Sequence, residues 1–333
     1  MKVMVTGGTG FLGGAVCKEL LKKKYTVCTI SRKPAENLES AGIEVFYGDL
    51  TDKEFTKKAL ANNFNAIIHC AGKPGIWGNY EDYYKNNVTA TENIISSCLC
   101  NNIKSLVYTS SPSVVFALKD QEGINETEPY PKKYNAPYPA TKSLAEQAVL
   151  KANSNELATV SLRPHLIWGP GDRQIVPRIV KRAKANKMII INHGKNIVDT
   201  TYIDNAVLGH VLALEKLSIG SNIAGKTYFI TNGEPLEIGK IINAMLNEAN
   251  LPSIQKSVPE WIAYSGGAIL EILYKLTNRK DEPLITAFSA KELACSHWFD
   301  ISNAKKDLGY EPIVTINEGL KRLGVWLREN GIL

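Results

Sequence analysis

The stretch VTGGTGFLGG, residues 5–14, follows a short apolar run, KVMVT (2–6), and opens an amphipathic helical pattern, FLGGAVCKELLKKK (11–24). Glycines at the end of a strand let the backbone turn tightly and come close to a ligand. The N-terminus of the helix that follows favours negative charge. Glycine-rich turns of this kind also occur for packing alone, but the spacing of Gly7 and Gly10 directly after a first strand favours a ligand. The glycine loop and the N-terminus of the helix that follows it are therefore predicted to bind the pyrophosphate of a dinucleotide.

Short apolar runs alternate with helical patterns through the first half of the chain. Helices are predicted at 11–24, 83–100 and 142–153. The runs predicted as strands buried on both faces are KVMVT (2–6), TVCTI (26–30), AIIHC (66–70), SLVYTS (105–110) and TVSLR (159–163). Strands that alternate with helices indicate an α/β fold with a Rossmann-type doubly wound parallel sheet.

After about residue 165 the alternation loosens, and glycine and proline recur. Helices are predicted there at 174–187, 236–249 and 260–276. We therefore expect two domains. The predicted division is a dinucleotide-binding Rossmann domain over 1–165, to which 196–218 returns, and a mainly substrate-binding, smaller C-terminal α/β domain over 166–333.

Composition excludes several classes of protein. The net charge of +6 is spread along the chain, and basic runs such as RIVKRAKANK (178–187) are typical of solvated helix faces rather than of nucleic-acid sites. Neither a CxxC pair nor an HxxxH pair occurs among the six cysteines and five histidines, so no metal and no disulfide is expected. The sequence predicts no nucleic-acid partner.

Neither a signal peptide nor a membrane span is predicted, and a cytoplasmic location is expected. The best candidate span, WIAYSGGAILEILYKL (261–276), is short and carries Glu271 and Lys275. It is predicted to be an amphipathic helix that covers an apolar pocket. Shallow insertion into a membrane surface is the alternative.

A basic turn, Ser31-Arg32-Lys33, follows the second predicted strand, where NAD-binding units usually carry an acidic residue for the ribose. Arg32 could pair with a 2′-phosphate, so NADP(H) is favoured over NAD(H). An exposed turn without function is the alternative. Asp49, after the next strand, could accept from the adenine amino group or could simply cap the following helix.

Tyr138 and Lys142 lie four residues apart in a predicted helix, so their side chains share one face. An ammonium group close to a phenol favours the phenolate, and Lys142 is therefore predicted to lower the pKa of Tyr138. Such a phenol can donate a proton to a carbonyl oxygen or take it back. The strand VYTSSPSVVF (107–116) supplies three candidate hydroxyls to hold that oxygen: Ser110, Ser111 and Ser113.

Taken in order, these motifs resemble an extended short-chain dehydrogenase/reductase over essentially the whole chain. They are the glycine loop, Asp49, HCAG (69–72), NNV (86–88), the serine strand, Tyr138-x-x-x-Lys142 and LRPHLIWGPGD (162–172). Within that superfamily the chain resembles the 3β-hydroxysteroid dehydrogenase group, which includes the sterol-4-carboxylate 3-dehydrogenases. It is most similar to bacterial 2-alkyl-3-oxoalkanoate reductases of olefin biosynthesis. Four segments carry this narrower likeness: 71–88, 163–172, 194–214 and 297–312.

The resemblance implies a role for each matching residue. Ser111 would be the catalytic hydroxyl and Tyr138 the acid/base, while Lys142 would bind the nicotinamide ribose and tune Tyr138. Most of the remaining residues would bind the cofactor: Gly7, Gly10, Phe11 and Leu12 at the pyrophosphate, Asp49 and Leu50 at adenine, Ala71, Gly72 and Asn87 along the cleft, and Pro164 and His165 beside the nicotinamide. The turn with Ser31 and Arg32 departs from NAD-specific members, and these two residues are predicted from their own chemistry to lie at the ribose phosphate. His165 is a candidate base by residue type, but its position after Arg-Pro at a strand end favours a positioning role.

Asp199 departs from the pattern of sugar-nucleotide epimerases, which usually carry an arginine near this position, and it counts against a nucleotide sugar. Both nearest groups handle an oxygen β to a carboxylate. The predicted function is therefore NADPH-dependent reduction of a hydrophobic β-keto acid of the 2-alkyl-3-oxoalkanoate type. Lys73, Arg173 and Arg178 are the candidates to meet its carboxylate.

The alternatives are oxidation of a 3β-hydroxysteroid or sterol, dihydroflavonol-type reduction, and a dinucleotide-sensing regulator without chemistry. The apolar residues of segment 259–276 are predicted to form an apolar wall for the substrate, with ordinary core or a dimer contact as the alternatives. They are Trp261, Ile262, Tyr264, Ile269, Leu270, Leu273 and Leu276. Homodimerisation through 83–100 and 138–153 is implied by the superfamily.

Overall fold

The computed structural model describes residues 1–277, 279 and 281–331. Its strands are β1 (Lys2–Thr6), β2 (Thr26–Ser31), β3 (Glu44–Tyr47), β4 (Ala66–His69), β5 (Ser105–Thr109), β6 (Gln121–Ile124), β7 (Ala158–Pro164), β8 (Ile167–Trp168), β9 (Ile190–Ile191), β10 (Ile197–Val198), β11 (Thr201–Tyr202), β12 (Lys226–Ile230), β13 (Leu236–Glu237), β14 (Ser257–Val258) and β15 (His297–Phe299). Its α-helices are α1 (Phe11–Lys22), α2 (Glu36–Glu39), α3 (Lys53–Ala59), α4 (Tyr80–Tyr83), α5 (Ala90–Cys100), α6 (Pro137–Lys151), α7 (Ile175–Lys184), α8 (Ile203–Lys216), α9 (Ile238–Glu248), α10 (Glu260–Leu276), α11 (Ala287–Ala294) and α12 (Ile316–Glu329).

The main sheet has the strand order β12-β7-β5-β4-β1-β2-β3, and each neighbouring pair is parallel. Successive residues of β1 show why its sequence is apolar throughout: Val3 and Val5 belong to the core on one face, and Met4 belongs to the core on the other. A parallel sheet covered on both faces needs this pattern. The predicted Rossmann-type doubly wound sheet is confirmed.

Helices cover both faces of this sheet. Helices α1 and α8 pack together on one face, and α3, α5 and α6 pack in sequence on the other. Strand β12 pairs with β7 and extends the sheet from far along the chain, which the sequence analysis did not predict. The division into domains stays a prediction.

The chain reverses direction along the sheet at β1, which lies between β2 and β4. The loops that leave β1 and β4 therefore come together at the carboxyl edge, where open α/β sheets bind ligands. A Cβ atom on Gly7 would lie 2.9 Å from the backbone nitrogen of Ala71, so the two loops are in close contact. The topology places a crevice at this point.

A second, smaller sheet has the order β13-β10-β15-β6. Two further pairs of short strands, β8 with β11 and β9 with β14, are each parallel. None of the helices in the described part of the chain is both long enough and apolar enough to cross a membrane.

Two helices differ in detail from their predictions. The predicted helix over 83–100 is wound as a π-helix from Tyr84 to Thr89 before α5 begins. Helix α6 begins at Pro137 rather than at 142, and proline in the first turn is favourable because its missing N–H has no partner there in any case. Both changes shape the site, since the π-helical turn carries Asn87 and the first turn of α6 carries Tyr138.

Candidate active site

A cavity of about 620 Å³ opens at the carboxyl edge of the main sheet. Its lining joins the end of β1, the loop after β4, the serine turn after β5, the start of α6 and the segment after β7. Ten of the residues assigned a catalytic or cofactor-binding role from the sequence line it: Gly7, Gly10, Phe11, Leu12, Gly72, Ser111, Tyr138, Lys142, Pro164 and His165. Residues from five separate stretches of the chain therefore meet around one space.

The glycine loop forms a cradle that a side chain would fill. Gly7 has a φ of +74°, and a hydrogen bond of 2.8 Å from the amide of Gly10 to the carbonyl of Gly7 closes the turn. A Cβ atom on Gly13 would collide with that same carbonyl, so the first turn of α1 packs directly under the loop. Helix α1 begins at Phe11 and carries no acidic residue in its first turn. The loop therefore fits a pyrophosphate.

The basic turn lies at the ends of β2 and β3, beside the cavity rather than in its lining. The Arg32 guanidinium is 4.0 Å from the Asp49 carboxylate and 3.3 Å from the side-chain oxygen of Asn86. Ser31 donates a hydrogen bond of 2.7 Å to the carbonyl of Lys33. Arg32 and Asp49 thus lie together, at the position of the sheet where the adenosine half of a dinucleotide would extend.

Asp49 is not the cap of the helix that follows it. Asp52 caps α3 by accepting from the amide of Phe55 at 3.0 Å, whereas Asp49 accepts from the amide of Thr51 at 2.9 Å. The capping alternative considered for Asp49 is therefore wrong. Leu50 is buried in the core on the α3–α5 face.

Asn87 fixes the loop after β4. Its side-chain oxygen accepts from the amide of Lys73 at 2.6 Å, and its amide group donates to the Lys73 carbonyl at 3.2 Å and to Thr141 at 3.0 Å. Ala71 donates its backbone N–H to the Thr6 hydroxyl at 3.1 Å. The Asn87 side chain is engaged on both sides, so it positions the cleft that Ala71 and Gly72 border.

Lys142 lies deep in the site. Its ammonium donates to the carbonyl of Thr109 at 2.6 Å and lies 4.2 Å from the centre of the Tyr108 ring. Burial lowers the pKa of Lys142 to about 7, against the opposing charge of Glu146 one turn along the helix. The ammonium group of Lys142 is thus hydrogen-bonded to β5 and not to the phenol of Tyr138.

The predicted lowering of the Tyr138 pKa by Lys142 is wrong for this geometry. Burial raises the pKa of Tyr138 above its usual value, a hydrogen bond with the Ser111 hydroxyl lowers it in part, and the charge of Glu292 raises it. Because Lys142 is drawn to the Thr109 carbonyl, it does not offset the cost of burying a phenolate. The phenol therefore keeps its proton at neutral pH.

Ser111 is the serine of the turn that pairs with Tyr138. Its hydroxyl oxygen accepts from the amide of Ser113 at 3.2 Å and from the Ser113 hydroxyl at 2.9 Å, and this bonding caps a short 3-10 helix over 112–115. Ser110, Ser111 and Ser113 all line the cavity. Among the interactions of the described residues, Ser111 is the one of the three serines that forms a hydrogen bond with Tyr138.

His165 donates its Nδ1–H to the carbonyl of Asp199 at 2.6 Å. Burial lowers its pKa well below the usual value, and the neighbouring His297 lowers it further. A neutral ring tied to the backbone supports a positioning role over a basic one. Asp199 itself is buried behind His165, where burial raises its pKa to about 6 and Thr231 donates to its carboxylate at 2.9 Å.

The far half of the cavity is formed by residues that the motifs did not point to. Its apolar wall comes from the turn after β5, from α11 and from β15: Phe116, Phe288 and Phe299. Glu292 of α11 lines the same space, and burial raises its pKa to about 7. The residue types of α11 gave no signal for Glu292, because a glutamate in a short helix is ordinary.

The predicted apolar wall from segment 259–276 is wrong. The seven apolar side chains proposed for it lie within the described residues, and none of them lines the cavity. Helix α10 instead packs on α11 through the small residues Ala263 and Gly267, since a Cβ atom on Gly267 would lie 2.7 Å from the amide of Ala287. The large residues point outward, and Trp261 and Leu276 are 69% and 79% exposed.

Known proteins with similar sequences or folds show the family and the fold of this chain. The sequence profile of the 3-beta hydroxysteroid dehydrogenase/isomerase family matches residues 4–258. A 2-alkyl-3-oxoalkanoate reductase of Stenotrophomonas maltophilia is 45% identical over 97% of this chain and 98% of its own. A decarboxylating sterol-4-alpha-carboxylate 3-dehydrogenase of Mus musculus is 34% identical over 96% of this chain and 89% of its own.

Among solved structures, a UDP-glucuronic acid 4-epimerase of Bacillus cereus in complex with NAD has a TM-score of 0.76. It is 24% identical and covers 99% of each chain, which shows a common fold. The fold and the site together define an oxidoreductase of the extended short-chain dehydrogenase/reductase type, a class that depends on NAD(P). More narrowly, the chain belongs to the 3-beta hydroxysteroid dehydrogenase/isomerase family.

Proposed function

We propose that the protein reduces the keto group of a 2-alkyl-3-oxoalkanoate, a β-keto acid with a large apolar body, with NADPH as the reductant. The observation that carries the proposal is the meeting of Ser111, Tyr138 and Lys142 beside the glycine loop in one cavity. Relatives named 2-alkyl-3-oxoalkanoate reductase, 45% and 43% identical over almost the whole chain, support this substrate class. The phenylalanine wall of the cavity suits its apolar chains.

The cavity fits a nicotinamide dinucleotide. Gly7 and Gly10 form a cradle for the pyrophosphate, and Pro164 and His165 line the same crevice. When bound, the nicotinamide supplies the hydride that the carbonyl carbon accepts. The residues of this chain then have to orient the ketone, exclude water and deliver one proton to the carbonyl oxygen.

Tyr138 is the proton donor in this proposal. Because burial raises its pKa, the phenol is in the acid form that reduction requires. Ser111 holds the same oxygen, and its hydroxyl is itself fixed by Ser113 at 2.9 Å. Lys142, held by Thr109, presents positive charge close to the ribose side of the cleft. The ketone gains a hydride at carbon and a proton at oxygen, and a secondary alcohol results.

The reaction is tested by incubating the purified protein with NADPH and a long-chain 2-alkyl-3-ketoacid, with NADH in parallel. Since β-keto acids lose carbon dioxide, oxidation of the matching 2-alkyl-3-hydroxyalkanoic acid by NADP⁺ gives the second assay. Turnover in both directions is the expected result. Absence of turnover with either cofactor, together with oxidation of a 4-carboxysterol, would replace the proposal with sterol dehydrogenation.

One observation supports sterol oxidation as the second candidate function. A relative named sterol-4-alpha-carboxylate 3-dehydrogenase is 34% identical over 96% of this chain, and its named substrate also carries a carboxylate near the reacting oxygen. The two candidates differ in the shape of the apolar body. Parallel assays with a flexible branched acid and a rigid sterol acid therefore separate them.

NADPH is proposed as the preferred cofactor because Arg32, in the basic turn after β2, has a largely exposed guanidinium that can bind a 2′-phosphate. It lies beside Asp49, which is the residue proposed to contact adenine. Replacement of Arg32 by Ala is expected to weaken NADPH binding about tenfold and to leave NADH binding unchanged, since only NADPH brings a 2′-phosphate to the guanidinium. Dissociation constants from cofactor fluorescence measure both. Arg328→Ala on α12 is the control, and an equal loss for both cofactors would refute the preference.

Two partner predictions are not tested by the fold, and exposed apolar residues mark the surface that each would use. Peripheral membrane contact would use the outward face of α10, where Trp261 and Leu276 are exposed beside Lys275. Homodimerisation through α5 and α6 would use the exposed Leu99 and Leu144 on these helices. Both stay predictions.

A further inference from the structure

We infer that Arg173 is the receptor for the carboxylate of the substrate, an inference that rests on the proposed β-keto acid function. A carboxylate taken into a cavity needs a cation or several hydrogen-bond donors, because burying an unpaired charge is costly. The question is therefore which cation at this cavity has no partner within the protein. Sequence alone left Lys73, Arg173 and Arg178 open.

The described residues that line the cavity include one lysine and two arginines, namely Lys142, Arg173 and Arg178. Lys142 is engaged by the Thr109 carbonyl at 2.6 Å. Arg178 forms an ion pair of 2.7 Å with Glu282. His165 and His297 are not cationic at neutral pH, because burial lowers the pKa of each.

Lys73 is excluded on two grounds. It does not line the cavity, and its ammonium lies 3.6 Å from the Asp82 carboxylate and 4.7 Å from the centre of the Tyr83 ring. Arg173, by contrast, forms no side-chain hydrogen bond or ion pair with any described residue. It is the cation of this cavity that has its guanidinium free for a ligand.

The backbone around Arg173 is fixed, so the free side chain has a defined origin. Asp172 is buried and accepts from the amide of Gln174 at 2.7 Å and from the amide of Val176 at 2.8 Å, which ties the residues around Arg173 to the start of α7. The segment leaves β7 directly after His165, at the nicotinamide end of the crevice. An arginine anchored there can meet a carboxylate with two parallel N–H donors.

The acidic groups of the cavity do not compete for Arg173. Asp172 is committed to capping α7. Glu292 lies on α11 and forms no ion pair with Arg173 within the described part of the chain. The competing role for Arg173 is a contact with the cofactor pyrophosphate, since a Cβ atom on Gly171 would lie 3.8 Å from the Phe11 ring of the glycine loop.

The experiment compares an acid with its ester. Arg173→Gln is assayed in the oxidative direction with a 2-alkyl-3-hydroxyalkanoic acid and with its methyl ester. The expected result is a rise in KM of about 10- to 100-fold for the acid and no change for the ester, because a hydrogen bond to a charged group is lost only with the acid. Arg173→Lys should recover part of the loss, since lysine keeps the charge without the planar fork.

A binding measurement makes the test independent of turnover. Titration of the protein–NADPH complex with 2-hexyldecanoate, a branched acid without the reacting oxygen, should show weaker binding by Arg173→Gln and not by Lys181→Gln. Lys181 lies on α7, which begins two residues after Arg173, and does not line the cavity, so this control removes a like charge from the neighbouring helix. NADPH affinity should be unchanged in both variants.

Each other outcome has a definite meaning. Weaker NADPH binding by Arg173→Gln, or an equal loss with acid and ester, would assign the guanidinium to the pyrophosphate and overturn the inference. Unchanged kinetics and binding would also overturn it. If the wild-type protein binds 2-hexyldecanoate through Arg173 but oxidises no hydroxy acid, the carboxylate site holds and the proposed reaction fails.

Discussion

Replacement of Tyr138 by Phe is expected to lower kcat for ketone reduction by about 10²- to 10⁴-fold, the usual contribution of a positioned general acid. The phenol pairs with Ser111 and holds its proton at neutral pH because burial raises its pKa. Removing one oxygen leaves the rest of the site unchanged in shape. Steady-state kinetics with NADPH measures kcat, and cofactor fluorescence measures whether NADPH still binds.

The matched control is Tyr264→Phe, which removes the same hydroxyl from an exposed position on α10. It should keep full activity. If Tyr138→Phe retained wild-type turnover with a substrate of the wild-type enzyme, another group would have to supply the proton. If neither the wild-type protein nor the Tyr138→Phe variant reduced any carbonyl while both bound NADPH, the result would favour a dinucleotide-sensing regulator without catalytic activity.

Replacement of Glu146 by Ala is expected to lower the free energy of unfolding by about 3–5 kcal/mol, because it leaves a buried guanidinium without its counter-charge. Arg163 donates to the Glu146 carboxylate at 2.7 Å, and the two side chains are only 3% and 0% exposed. Tyr130 and Ser161 donate to the same carboxylate at 2.7 Å and 2.8 Å. Chemical denaturation of wild type and variant gives the difference.

The contribution of Glu146 should depend on pH in a defined direction. Burial alone would raise the pKa of Glu146, but the charge and hydrogen bonds of Arg163 and the hydroxyl of Tyr130 lower it below its usual value. A carboxyl group with a lowered pKa in the folded state stabilises the protein above its unfolded pKa, and this contribution is lost as the pH falls through the folded value. The difference between wild type and Glu146→Ala should therefore shrink in acid.

Glu156→Ala is the control, since Glu156 is exposed shortly after the same helix. It should change stability by less than about 0.5 kcal/mol. An equal loss for both variants, or no loss for Glu146→Ala, would contradict the assignment of the buried pair. Because the charge of Glu146 also raises the pKa of Lys142, the variant should weaken the cationic character of the lysine.

Much of the site could be predicted because its signals are local. The glycine loop, the alternation of strand and helix and the i, i+4 spacing of Tyr138 and Lys142 each depend on a few neighbouring residues. Their meeting followed from topology, since the carboxyl ends of parallel strands share one edge. Ser111 was one of three equal candidates until the family resemblance singled it out.

Other features depend on contacts between distant parts of the chain. The direction of the Tyr138 pKa shift was mispredicted because helix spacing brings Lys142 near, whereas the carbonyl of Thr109 from β5 then takes its ammonium. Glu292 enters the cavity because α11 packs there. The sequence could not separate Arg173 from Arg178 as the cation for the carboxylate. In the folded protein Arg178 pairs with Glu282, a residue distant along the chain, and Arg173 does not.

Helix α10 shows the same limit in packing. Its amphipathic pattern predicted a helix correctly, yet the small residues Ala263 and Gly267 face the protein and the large apolar ones face outward. Local spacing and the alternation of strands and helices were enough to predict the parallel sheet apart from β12, the dinucleotide loop and the pair of Tyr138 and Lys142 on α6. The pKa values, the unpaired guanidinium of Arg173 and the walls of the cavity could not be predicted in this way, because burial and ion pairing depend on which distant side chains come together in the folded protein.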